Sequence, residues 1–89
     1  MTTVRFYSLL RDRLGEGEIE IEAGDVAEAV ARLKEIFGSR WSDTVEEGGR
    51  IKESYIFLIG GRRISPADFR KTPLNGGEAL HIFSPIAGG

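Results

Sequence analysis

The chain has 89 residues, 40% of them hydrophobic and 29% charged, with 12 Lys and Arg against 14 Asp and Glu. This is one small folded domain with room for a single core but not for a core plus a buried active-site cavity, so a self-contained enzyme is a poor fit. With no basic excess to neutralise a phosphate backbone, nucleic acid is not an expected partner.

There is no cysteine and a single histidine, His81. Disulfides, thiolate ligands and a multi-histidine metal centre are thereby excluded, no metal site is expected, and any sulfur chemistry must use a group other than a thiol. The longest apolar run, Tyr55 to Ile59, falls far short of a bilayer span, and Met1-Thr2-Thr3-Val4 shows no signal-peptide pattern. No membrane partner and a cytoplasmic location are the expectation.

In chain order, Val4-Arg5-Phe6-Tyr7-Ser8-Leu9 is rich in β-formers and reads as a first strand, followed by a turn of helix and a loop over Arg11 to Gly15. Glu16 to Glu22 alternates strictly, with Ile19 and Ile21 on one face and glutamates on the other, as a half-buried strand does. Asp25 with Glu28 three residues on has capping-box spacing and opens a helix whose apolar positions are Val26, Ala29, Val30, Leu33, Ile36 and Phe37, with Gly38 placed to end it. Ser39 to Arg50 shows no sustained period and reads as a long connection in which Trp41 has no assigned place.

Ser54 to Ile59 is a near-continuous apolar strand closed by Gly60-Gly61, and a short strand around Arg63-Ile64 completes a hairpin. Ser65 to Phe69 starts a turn or short helix, Asn75-Gly76-Gly77 is a turn, and Glu78 to Phe83 is the last strand. Two strands, one main helix and two or three further strands is β-grasp order: an α+β, ubiquitin-like fold with a mixed four- to five-stranded sheet and one main helix on one face. The expected core is Val4, Phe6, Ile19, Ile21, Val26, Val30, Leu33, Phe37, Leu80 and Ile82. One helix covers only one sheet face, so the other must be polar or must meet something.

The expected division is a β-grasp domain over 1–83 and an extended tail over 84–89, Ser84-Pro85-Ile86-Ala87-Gly88-Gly89. Two terminal glycines arise by chance in about one chain in 200, and a chain end is ordinarily a frayed tail. The motif gains its weight from the apolar strand before it and from Pro85 restricting the exit.

From Val4-Arg5-Phe6-Tyr7 through Leu10-Arg11-Asp12-Arg13-Leu14-Gly15 to the closing Gly77-Glu78-Ala79-Leu80-His81-Ile82-Phe83-Ser84-Pro85-Ile86-Ala87-Gly88-Gly89, the chain resembles the small subunit of molybdopterin synthase and, more broadly, the ubiquitin-like sulfur carriers. In that family the closing segment usually reads Gly-Asp-Glu, an apolar strand ending in Phe, two prolines, an aliphatic residue, a small residue and Gly-Gly. Gly77 departs from the usual Asp, which changes turn chemistry, and Ser84 from the first Pro, which loosens the exit of the tail.

The resemblance implies that an adenylating activating enzyme joins the Gly89 carboxylate to AMP at the expense of ATP. Sulfur from a persulfide donor then displaces AMP to leave a thiocarboxylate, which serves the large subunit of molybdopterin synthase. It also implies that this chain binds no cofactor itself, ATP being used by the activating partner. Carriers for thiamine, cysteine or tungsten-pterin synthesis, and a protein modifier joined through Gly89 to target lysines, are the alternatives; a plain interaction domain with an accidental Gly-Gly is another.

Gly88 and Gly89 have no Cβ, so the tail can enter a narrow channel and approach a nucleotide closely. Phe83, Ser84, Pro85, Ile86, Ala87 and Gly88 are the expected partner-binding residues. Phe83, aromatic and next to the tail, is an anchor for a partner, with edge-of-core packing as the alternative. His81 alternates with Leu80 and Ile82 and faces away from the core, an exposed or interface residue rather than a base, since no nucleophile or orienting acid is evident. The glutamates at 16, 18, 20 and 22 and the cations Arg62, Arg63, Arg70 and Lys71 read as solvated surface.

Overall fold

The structure is a computed structural model and describes residues 1–84. Its strands are β1 (Thr2–Tyr7), β2 (Glu18–Ile21), β3 (Glu46–Glu47), β4 (Arg50–Ile51), β5 (Ile56–Ile59), β6 (Arg62–Arg63) and β7 (Ala79–Phe83). Its helices are α1 (Ser8–Leu14), α2 (Val26–Phe37) and α3 (Ser39–Val45), with a 3-10 turn over Pro66–Lys71.

Five strands form one mixed sheet in the order β2-β1-β7-β5-β6, and β3-β4 stands apart as a small hairpin. The first and last strands of the sheet, β1 and β7, run parallel at its centre, Val4 opposite Leu80 and Phe6 opposite Ile82; the other neighbours are antiparallel. The β5–β6 turn is Gly60-Gly61 at φ 58° and 77°. A tight hairpin turn with both central residues at positive φ takes glycine without steric cost.

The capping box forms. The Asp25 carboxylate accepts from the Glu28 backbone N–H at 2.8 Å, and the Glu28 carboxylate accepts from the Gly24 N–H at 2.6 Å. Together they satisfy two backbone donors where the helix begins. Val26, Ala29, Leu33 and Phe37 are buried, and Gly38 at φ 58° ends α2. Ile36, expected on the apolar face, is 52% exposed, because it lies about 100° round the helix from Phe37.

Two further segments differ from expectation. The first strand stops at Tyr7, because Ser8 takes φ 56° and turns the chain into α1, so Ser8 and Leu9 are helical. The segment read as a long connection, 39–50, contains α3 and most of the β3–β4 hairpin. Trp41, unplaced by pattern, is wholly buried in α3.

All buried apolar residues join one core. Its sheet side is Val4, Phe6, Phe57, Ile59, Leu80 and Ile82; Leu10, Leu14, Trp41, Val45 and Phe69 extend it beyond the expected set. Ile19 and Val30 pack against it only partly buried.

Candidate functional site

The site begins where β7 ends. Alternation sends Leu80 and Ile82 into the core and leaves Ala79, His81 and Phe83 half-buried on the opposite face. Register aligns Tyr7 with Phe83 and Arg5 with His81 across β1, and Ile56 with Phe83 and Leu58 with His81 across β5. Opposed residues in a ladder share a face, so Tyr7, Phe83, Ile56 and Leu58 form an apolar strip on the side that α2 does not cover. Glu18 and Glu20 flank the strip on β2, with Glu18 paired to Arg5 at 2.9 Å, and Arg63 flanks it on β6.

Tyr7 is the hub of this face. The Phe83 ring stacks on it with centroids 4.3 Å apart and planes 7° apart. Its hydroxyl shares a 2.7 Å hydrogen bond with His81 Nδ1, in a direction set by the imidazole tautomer. Tyr7 is not among the expected site residues, although the alternation of β1, with Val4 and Phe6 inward, already places it outward beside Arg5.

Ser84 is 6% exposed. Its hydroxyl accepts from the Leu10 N–H at 3.3 Å and donates to the Tyr7 carbonyl at 3.1 Å. Serine in place of proline does not leave the exit loose here; two hydrogen bonds tie it to the β1–α1 corner. The structure thus brings Phe83 and Ser84 together around Tyr7, while Pro85, Ile86, Ala87, Gly88 and Gly89 lie outside the described residues.

Among the described residues, no group of three or more His, Asp or Glu side chains gathers as a metal site, and no helix is long and apolar enough to cross a membrane. A cleft of about 790 Å³ lies among Arg50, Ile51, Tyr55, Arg63, Pro66 and Phe69, and no histidine lines it. Burial pushes the Tyr55 phenol above its ordinary pKa of 10.0, against the opposing pull of the Arg13 guanidinium.

Fold and sheet order together define a ubiquitin-like β-grasp protein. The chain is 30% identical over 88 residues to small archaeal modifier protein 3 of Haloferax volcanii, covering 97% of this chain and 96% of that one. It belongs to the ubiquitin-like small archaeal modifier and sulfur-carrier family.

Among solved structures, it resembles small archaeal modifier protein 1 of Methanosarcina acetivorans with a TM-score of 0.79, at 21% identity over 99% of this chain and 95% of that one. It also resembles the complex of subunits 1 and 2 of the molybdopterin-converting factor from Helicobacter pylori, with a TM-score of 0.66 at 22% identity over 99% of this chain and 97% of the matched one. At those identities the likeness concerns the fold. No protein-family model matches the chain.

Proposed function

We propose that this protein is a sulfur carrier whose Gly89 carboxylate is adenylated by an activating enzyme, attacked by a persulfide donor with loss of AMP to give an acyl disulfide, released as a thiocarboxylate when a thiol reduces that S–S bond, and used by a molybdopterin synthase large subunit to make molybdopterin. The observation that carries the reading is the anchored end of β7: Ser84 is held on the central strands, and five residues ending in Gly88-Gly89 follow it.

A carboxylate is a poor acyl donor until its oxygen becomes a good leaving group, and the mixed anhydride with AMP provides one. The thiocarboxylate that results is ionised and nucleophilic at neutral pH. Five residues of extended chain reach about 17 Å, enough to carry the carboxylate away from the domain surface into a partner's active site. The carrier supplies position and the partner supplies catalysis. The apolar strip of Tyr7, Phe83, Ile56 and Leu58 is the docking surface in this reading.

Deleting Gly89, or adding one residue after it, is expected to abolish product formation with little change in melting temperature, since terminal residues contribute little to folding. Deletion draws the reacting carbonyl back by about 3.3–3.6 Å, where about 1 Å of misplacement costs on the order of 100-fold in rate. Each variant is incubated with the activating enzyme, ATP, a persulfide donor and a thiol reductant, and the mass followed. A gain of about 16 Da, sulfur for oxygen, marks the thiocarboxylate, and wild-type rates from either variant would sink the reading. Adding the synthase large subunit with its pterin substrate then asks whether molybdopterin is the recipient.

A second reading is favoured by the 30% identity to a protein named as a modifier: conjugation of Gly89 to target lysines. Both uses start from the same adenylate. High-mass conjugates in the native host would select the modifier, and the 16 Da shift alone the carrier.

A further inference from the structure

Helix α1 begins without a cap of its own. Tyr7 stands at its N-cap position and supplies no side-chain acceptor, and Ser8 follows at φ 56°, the single non-glycine among the described residues at positive φ. The first turn of a helix has backbone N–H groups with no intrahelical partner, and an N-cap oxygen ordinarily accepts from the second or third of the helical residues. Leu10 is the third residue of α1, and its N–H donates to the Ser84 hydroxyl, 74 positions along the chain. The same hydroxyl donates its proton to the Tyr7 carbonyl. One oxygen therefore closes the N-terminus of α1 and ties the end of β7 to the end of β1.

The geometry points to Ser84 as a positioning residue: its hydroxyl caps α1 from the far end of the chain and so fixes the point from which the reacting tail is presented. The inference rests on the carrier reading and deepens it. Side chains and backbone cooperate at the corner, because His81, Phe83 and Ser84 all close on Tyr7, through its hydroxyl, its ring and its carbonyl. Only Ser84 also holds α1. Ser84 is the last described residue, and the five residues that follow it in the sequence end in Gly89, so in the carrier reading a displacement of Ser84 is passed on to the reacting carboxylate. Loss of the hydroxyl frees the root while leaving the apolar strip in place, so docking persists and the fraction of productive encounters falls.

The test uses the full chain as Ser84→Ala, Ser84→Thr and Ser84→Cys. In the free protein, amide exchange of Leu10 in Ser84→Ala is expected to quicken about tenfold or more while Val4 and Phe6 keep their protection. With the activating enzyme, ATP–pyrophosphate exchange should show kcat lowered about tenfold and KM within about twofold of wild type, because the lost interaction acts on tail placement rather than docking. Ser84→Thr keeps the hydroxyl and should restore both readouts. Ser84→Cys, close in size but a weak acceptor, should fall between, and it carries the test if the alanine variant melts below the assay temperature.

Unchanged Leu10 exchange would overturn the cap. Lost Leu10 protection with wild-type kcat would make the contact structural only and overturn the positioning role. Absence of any exchange activity in the wild type would overturn the carrier reading and the positioning role with it, leaving the Leu10 result to stand alone.

Discussion

Tyr7 and Phe83 stack on the uncovered face, where the Tyr7 hydroxyl also bonds His81. A stacked pair half open to solvent keeps its apolar area available to a partner, and aromatic anchors of this kind dominate binding energy at interfaces. In the carrier reading, Phe83→Ala is therefore expected to weaken binding to the activating enzyme or the synthase subunit by about 1 kcal/mol or more while the protein stays folded. Titration calorimetry against both partners checks this, and unchanged affinity for both would remove Phe83 from the interface. Phe83 was legible in the sequence through alternation and its place before the tail. Its stacking partner needed the parallel register of β1 and β7, which no local pattern records.

At the scale of elements, α2 and α3 contrast. Helix α2 announces itself through its capping box and its apolar stripe, and Asp25→Ala should cost about 1 kcal/mol through loss of the Glu28 N–H acceptor. Leu33 is fully buried on the stripe, and Leu33→Ala should cost about 2–5 kcal/mol in denaturant unfolding. A loss below about 0.5 kcal/mol, the range of a surface change, would contradict its burial.

Helix α3 has 7 residues and no side-chain cap. Isolated helices shorter than about 12–15 residues are marginal in water, so packing decides whether such a segment is helical. Here the packing residue is Trp41, wholly buried, with an indole N–H that has no partner among the described residues. Trp41→Ala should cost about 3–5 kcal/mol. Trp41→Phe should cost clearly less, because it also removes a buried donor that has no acceptor.

For the molecule as a whole, the sheet is protected at both sides by charge, with Glu18 and Glu20 on edge strand β2 and Arg62 and Arg63 on edge strand β6. Charged edges discourage edge-to-edge pairing and leave the apolar face as the surface open to partners. Tyr55 ties stability to alkaline pH: its folded pKa is raised by burial above the unfolded value of 10.0. The neutral phenol's contribution is thus present in full below that value and lost as pH rises through the raised one. The unfolding midpoint of the wild type should fall as pH rises above about 10 more steeply than that of Tyr55→Phe, which has no proton to lose.

The sequence by itself determined the elements whose signals are local: the alternation of β2, the capping box and stripe of α2, the Gly60-Gly61 hairpin and the inward set of β7. It is also the source of the reading of Gly88-Gly89. Tertiary structure decided that Ser8 turns the first strand into α1, that the segment around Trp41 is helical, and that Ser84 holds rather than frees the tail's root. The physical reason is range. A capping box closes over three or four residues and a stripe repeats every turn, whereas the contacts of Ser84 with Leu10 and Tyr7 span 74 and 77 positions and exist only once β1 and β7 lie side by side.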